Sequence, residues 1–239
     1  MQGETPSLDD VLAHFEKTWT DRQPLTSSYQ EGKLSFDQIT WGDKSFPDYT
    51  ADETFADGLE MLRHYYPYMK WMKPKHVEYA GEVPIEDDEV QFHVDYIGGS
   101  FSAPDGNVLV DFKTGRRTRS PVEVDTSIQL SAYAWGLRKT GIWQPEDEYV
   151  EIHSIVRLKK SKRNPDPYKV SIIKSRRNML NFEFMEELFI PRQIAMKKAG
   201  IYPAGPGLHC AWCQMQQQCP HWESIMQGRE DRRVVANRA

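Results

Sequence analysis

Apolar residues recur at helical spacing twice near the start of the chain. Leu8, Val11, Leu12, Phe15 and Trp19 form one stripe, with Ser7 placed to cap it and Asp10 three residues on, which predicts an amphipathic helix over 7–19. Residues 21–50 are polar and interrupted by Pro24, Gly32, Gly42 and Pro47, and they read as mostly loop. Phe55, Leu59, Leu62 and Tyr66 share a face of a second helix running from Asp52 to about Tyr66. The pattern then changes to strands, at 77–85, at 90–97 and at 108–113. Pro104-Asp-Gly-Asn107 is turn chemistry and predicts that the runs on either side of it pair as neighbours. A basic, Pro-containing loop over 116–126 leads into a helix from Asp125 or Thr126 to about Lys139, stopped at Gly141. Residues 148–158 and 168–174 predict two further strands joined by a basic hairpin loop over 159–167. A helical stretch follows from about Arg176 to Ala199, with a break at Pro191.

Three polar residues stand out against this pattern. On a strand, successive side chains alternate faces, so Asp111 and Lys113 point one way while Val110 and Phe112 point the other. A turn between the runs brings Asp95 beside Asp111. Two carboxylates and an ammonium at a strand edge suit a divalent cation, which takes hard oxygen ligands and stabilises charge on a phosphoryl oxygen. Asp-x-Lys by itself is common on solvated strands, and its weight here comes from the pieces around it. Gln129 and Tyr133 are four apart and share a helix face; Tyr133 can equally serve to pack that helix onto the sheet. Glu60 and His64 read as a surface pair and His14 as an ordinary helix histidine. Glu78, Glu82 and His93 lie on strands near Asp95, where a solvent-facing role is the expectation.

Composition narrows the class without naming a reaction. Of 239 residues, 39% are apolar and 27% charged, enough to bury a core, and no apolar run approaches the roughly 20 residues of a membrane span. A net charge of −5 argues against a protein that coats DNA non-specifically, but local patches govern phosphate contact. Arg116, Arg117 and Arg119 leave the strand that carries Asp111 and Lys113, and are the basic cluster best placed to touch nucleic acid. The three cysteines, Cys210, Cys213 and Cys219, fall within ten residues, a spacing that suits a metal or cluster site better than disulfides. Iron–sulfur and zinc ligation both fit that spacing, with His209 or His221 available to complete a zinc site. The N-terminus shows no secretory signal, which fits a cytoplasmic protein.

Asp95, then Asp111-Phe-Lys113-Thr-Gly115, then Gln129-x-x-x-Tyr133 resembles the RecB-like branch of the PD-(D/E)XK nuclease superfamily. With Cys210-x2-Cys213-x5-Cys219 it resembles in particular the small exonucleases with a C-terminal cysteine cluster, CRISPR-associated and phage relatives among them. The matches span roughly residues 75–222. The resemblance implies an α/β fold, a PD-(D/E)XK nuclease core with a central mixed β-sheet flanked by helices. It divides the chain into a nuclease domain over 1–199 (helical elements 1–74, catalytic core 75–199), a cysteine module over 200–222 and a tail over 223–239. It implies that Asp95, Asp111 and the carbonyl of Phe112 hold Mg2+ or Mn2+. Lys113 then orients the attacking water, Gln129 and Tyr133 support the site, and the cysteines supply three ligands to a [4Fe–4S] cluster. The implied activity is exonucleolytic cleavage of DNA, on single-stranded or free ends, in repair, recombination or phage DNA metabolism, with recombination or CRISPR-type proteins as partners.

The resemblance is incomplete at the N-terminus. The family's first cluster cysteine and its histidine-bearing helix find no counterpart here, and the expectation is that they lie upstream of residue 1. Two other readings therefore stand beside the enzyme. One is a catalytically impaired nucleic-acid-binding protein with a structural zinc or iron–sulfur module, and the other is a zinc-stabilised interaction module unrelated to DNA.

Overall fold

A computed structural model describes residues 6–29, 51–144, 146–162 and 165–200. The chain divides into two compact units, Met1–Leu188 and Phe189–Ala239. The first holds a five-stranded mixed sheet in the order β1-β2-β3-β4-β5, with helices against it. The strands are β1 (Lys73–Ile85), β2 (Asp88–Ser100), β3 (Ala103–Gly115), β4 (Tyr149–Arg157) and β5 (Tyr168–Arg176). All neighbours are antiparallel except β3 and β4, which are parallel and therefore need a crossover. Helices α3 (Pro121–Asp125) and α4 (Ile128–Lys139) supply it. Val94, Ile97, Leu109, Val110 and Val150, on the three inner strands, are fully buried. Each contributes roughly 1.5–3 kcal/mol by leaving water.

Helix α1 (Leu8–Tyr29) begins as expected. Ser7 Oγ accepts from the Asp10 N–H at 3.2 Å while the Asp10 carboxylate accepts from the Ser7 N–H at 3.1 Å. It runs past the predicted end, through Pro24 to Tyr29, because a proline removes one helical hydrogen bond without necessarily ending the helix. The remainder of the predicted loop, 30–50, lies outside the described residues. Helix α2 (Ala51–Met69) receives α1 through Phe15 and Trp19, each 5.7 Å from the ring of Phe55.

Three boundaries differ from the sequence reading, each for a tertiary reason. The turn between β2 and β3 is Phe101-Ser102, not Pro104-Asp-Gly-Asn107, which stays extended in β3. Ser100 and Ser102 both donate to the buried Glu151 carboxylate, and this pins the reversal three residues early. Within the predicted loop 116–126, Ser120 and Glu123 form a capping box that starts α3, and Ser127 then caps α4. The helix expected from Arg176 is α5 (Met179–Glu183), capped by Asn178, followed by a π-helical segment, Phe184–Phe189, and by α6 (Ile190–Lys198). The predicted break at Pro191 is this wide π segment, after which the proline sits in the first turn of α6, where its missing N–H costs nothing. In the second unit, α6 is the described element.

Candidate active site

The β2–β3 ladder ends at the pair Tyr96–Val110. Beyond it β2 continues against β1, and β3 continues against β4 through Asp111–Ile152 and Lys113–Ser154. The two strands thus fork, and one more step of the same register sets Asp95 across from Asp111. In the fork the Asp95 Oδ2 accepts a hydrogen bond from the Phe112 backbone N–H at 2.8 Å, which satisfies a donor that the parted ladder leaves open.

Asp111 is 3% exposed. Lys113 Nζ lies 2.8 Å from both of its oxygens and donates to Oδ1, while Oδ2 is buried and receives no well-directed hydrogen bond. Burial pushes the Asp111 carboxyl above its ordinary pKa; the Lys113 ammonium opposes this, and the nearby Asp95 carboxylate adds to it. Ser154, across from Lys113 on the same face, is also buried with its Oγ unpartnered. A carboxylate oxygen held out of water without a donor is costly unless something else satisfies it. A hard divalent cation would do so, and the donor set, two carboxylates brought together at the fork, fits one that keeps most of its water shell. Among the described residues no group of three or more His, Cys, Asp or Glu side chains converges to hold a metal, so the fit rests on two carboxylates.

The opposite face of the same strands is built differently. Glu151 and His153 are in register with Val110 and Phe112 and are completely buried. His153 Nε2 is 2.7 Å from Glu151 Oε2, and His153 Nδ1 is 2.5 Å from the Tyr65 hydroxyl of α2. One hydrogen per bond satisfies the chain: Tyr65 O–H donates to Nδ1, and Nε2–H donates to Glu151. Burial raises the Glu151 carboxyl, but the bonds from His153, Ser102 and Ser100 outweigh it and hold the pKa below the ordinary value. Burial first, and then the Glu151 charge, keep the Tyr65 proton on its oxygen. The Phe112 ring, 5.5 Å from His153, 5.7 Å from Tyr65 and 6.4 Å from Tyr96, packs against this network and fixes the residue whose backbone enters the fork. The sequence reading passed over Glu151, His153 and Ser154. The available signal was that Glu151 and His153 interrupt the apolar residues Val150, Ile152, Ile155 and Val156 of one strand.

The remaining candidates fall in several places. Gln129 Nε2 donates to the Tyr133 hydroxyl at 2.8 Å on α4, and neither is bonded to Asp95, Asp111 or Lys113. Arg117 grips Glu123 with two bonds, 3.0 and 2.6 Å, and Arg119 reaches the same carboxylate at 3.4 Å, so these charges are partly answered within the chain. The Glu123 bond holds the Arg117 guanidinium above its ordinary pKa. Arg116 is half-buried. Glu78, with a left-handed φ of 51°, falls across β1–β2 from Asp95, but its carboxylate turns to His93 at 3.3 Å. Glu82 faces Glu89, whose bond and charge push its carboxyl up. Glu60 and His64 do not pair as side chains. His64 Nδ1–H donates to the Glu60 carbonyl at 2.8 Å, and Nε2 is 2.9 Å from Asp166. Cys210, Cys213 and Cys219, with His209 and His221, lie outside the described residues. No helix among the described residues is long and apolar enough to cross a membrane.

A family model described as the PD-(D/E)XK nuclease superfamily matches residues 4–220. No curated protein matches the chain. Solved structures similar to it include a Eubacterium rectale protein assigned provisionally as an exonuclease (10% identity, TM-score 0.44, covering 93% of this chain and 76% of that one). A second is the protein SSO0001 (12% identity, TM-score 0.42, covering 93% and 88%).

Proposed function

The chain belongs to the PD-(D/E)XK nuclease superfamily, and from that premise we propose that it is a divalent-metal-dependent deoxyribonuclease that removes nucleotides from single-stranded DNA ends. The observation that carries the proposal is the buried, donor-poor Oδ2 of Asp111, with Asp95 across the fork and the Lys113 ammonium against it. Asp95, Asp111 and the Phe112 carbonyl would hold Mg2+ or Mn2+, which when bound would lower the pKa of a water and neutralise charge on the scissile phosphate. Lys113 donates to Asp111 Oδ1, which leaves Oδ2, buried and without a directed donor, as the oxygen a cation would satisfy. Lys113, one-third exposed, is positioned to turn from Asp111 toward a phosphate oxygen or the attacking water. Asp95 keeps its orientation through the Phe112 N–H, which ties the carboxylate to the backbone whose carbonyl is the third donor. Ser154 lines the same face and can accept from the Lys113 ammonium once the lysine moves. Gln129 and Tyr133, bonded to each other on α4, would border the strand as it enters, and Arg116, Arg117 and Arg119 would meet its phosphates.

Cys210, Cys213 and Cys219 would staple the C-terminal segment by ligating a [4Fe–4S] cluster, with zinc as the alternative occupant; this reading rests on their spacing. Purified anaerobically, the protein should be brown with a broad absorption near the visible edge, whereas a colourless preparation containing zinc would select the other metal. DNA repair, recombination or phage DNA metabolism is the setting that such an activity fits.

The test of the activity is release of nucleotides from end-labelled single-stranded DNA in Mg2+ or Mn2+, beside an equal amount of circular single strand. Cleavage of the linear substrate alone, lost in Asp111→Asn, is expected. Cleavage of both substrates would make the enzyme an endonuclease. Retained activity in Asp111→Asn would move the chemistry elsewhere, and salt-sensitive binding without cleavage would leave a nucleic-acid-binding protein.

A further inference from the structure

Three aromatic rings cluster at the end of the sheet away from the fork. Tyr68 lies at the C-terminal end of α2, Trp71 in the short link to β1, and Phe101 at the tip of the β2–β3 hairpin. Phe101 is 5.3 Å from Tyr68 and 6.3 Å from Trp71, both edge-on, so the rings brace one another while Phe101 and Trp71 stay 47% and 39% exposed. A two-residue hairpin loop favours Gly, Asn or Asp, and a phenylalanine there is an exposed apolar group that the turn itself does not ask for. Its outward aim is built in. Ser100 and Ser102, on either side of it, are both tied to the buried Glu151. At Gly98 and Gly99 a Cβ would strike the backbones of Lys73 and Pro104, so the missing side chains let the start of β1 close on the hairpin and bring Trp71 to Phe101.

Charge accompanies the rings. Lys70, Lys73 and Lys75 fall within the same short run as Trp71, and all are exposed. Lys70 Nζ stands 5.3 Å from the Trp71 ring centroid, Lys73 pairs with Asp105 at 2.6 Å, and Lys75 has no carboxylate partner among the described residues. Exposed aromatic faces interleaved with ammonium groups recognise single-stranded nucleic acid, in which each base offers a face and each link a phosphate.

We propose that Tyr68, Trp71 and Phe101, with Lys70 and Lys75, form a base-stacking platform that holds a single strand at a distance from the cleavage site. The proposal takes from the proposed function only that the ligand is nucleic acid. Asp95 lies on β2 and Phe101 in the turn just beyond its end, six residues on, about 20 Å at most. One strand several nucleotides long would reach from the platform to the fork, within the roughly 4–16 nucleotides that single-strand sites cover.

The test is fluorescence anisotropy of a labelled 20-nucleotide oligo(dT) and of a labelled 3-nucleotide one with the full chain in EDTA, where no cleavage competes. Trp71→Ala and Phe101→Ala should each weaken binding of the long strand about tenfold, and Trp71→Phe should restore most of it. Lys75→Ala should reduce the magnitude of the salt slope by about 0.7. The 3-nucleotide strand should bind weakly and respond to none of these changes. Unchanged affinity in both alanine variants overturns the platform, as does a loss that appears only together with dissociation of a dimer in sedimentation, which would make the patch a contact between copies. Aromatic-dependent binding in a chain that never cleaves would keep the platform and remove the nuclease reading. Cleavage with unaltered binding in the variants would do the reverse.

Discussion

The two faces of β3 and β4 bury carboxylates in opposite ways. On one, Glu151 is completely enclosed, and its oxygens receive hydrogen bonds from Ser100, Ser102 and His153, with Tyr65 completing the chain. On the other, Asp111 is nearly as enclosed, yet one oxygen is left without a directed donor. The outcomes differ in sign: the bonds carry the Glu151 carboxyl below its ordinary pKa, whereas burial wins at Asp111 and carries it above. A satisfied buried charge holds the fold in one arrangement. A buried carboxylate paired with one ammonium but holding an oxygen that no donor addresses is a cost that the fold carries, and such costs concentrate where a ligand is to bind. The sheet is thus braced from behind by one carboxylate so that another can be kept waiting in front.

The largest effect on stability comes from the braced side. Glu151→Ala should destabilise the protein the most, by about 1–3 kcal/mol for each buried donor it leaves without an acceptor, His153 and Ser100 among them. Urea unfolding followed by circular dichroism measures it, and a loss under about 1 kcal/mol would mean that the network is ornamental.

The waiting side should respond in the opposite manner. Asp111→Asn should cut nuclease activity by more than about 100-fold, beyond what loss of an outer partner to a metal ligand does, while the melting temperature stays level or rises because a penalised buried charge has gone. A fall in both together would place Asp111 among the structural residues. Lys113→Ala should reduce activity comparably with little change in Mn2+ affinity by titration calorimetry. Loss of metal binding in that variant would contradict its assignment to the substrate.

Tyr65→Phe probes the brace more gently. It leaves His153 Nδ1 buried without its donor and should cost about 1–3 kcal/mol. Activity per folded molecule should change little, and a large specific loss would show that the two faces communicate through Phe112.

The smallest effect is a pH dependence. A carboxyl whose folded pKa lies below its unfolded value contributes stability that is complete above the unfolded value and is lost as pH falls through the folded one. Glu151 is such a group, with an ordinary value of 4.5. Stability should therefore decline below about pH 4.5 more steeply in the wild type than in Glu151→Gln. Parallel curves would show that Glu151 is not ionised in the fold.

Much of the front face is legible in the sequence because it depends on local rules. Strand alternation puts Asp111 and Lys113 on one side, a hairpin of any length within the right range returns β3 beside β2, and Ser7 and Asp10 announce the first helix through a bond pattern confined to four residues. The order of Asp95, Asp111 and Lys113 along the chain pointed to the superfamily to which the chain belongs, because strand alternation and a hairpin are enough to bring those three together. What alternation cannot supply is register. The turn falls at Phe101-Ser102 and not at the better turn sequence downstream because Glu151, some fifty residues away, binds both neighbouring serines. That choice alone decides which residue of β2 stands across from Asp111. The fork beyond Tyr96–Val110 and the exposure of Phe101 beside Trp71 are likewise settled by partners remote in the chain. The sequence by itself determined the elements and the chemistry they carry, since propensity and periodicity act over a few residues. The tertiary structure decided register, burial and which charges go unanswered, because each depends on the strand or helix that arrives from elsewhere to cover it.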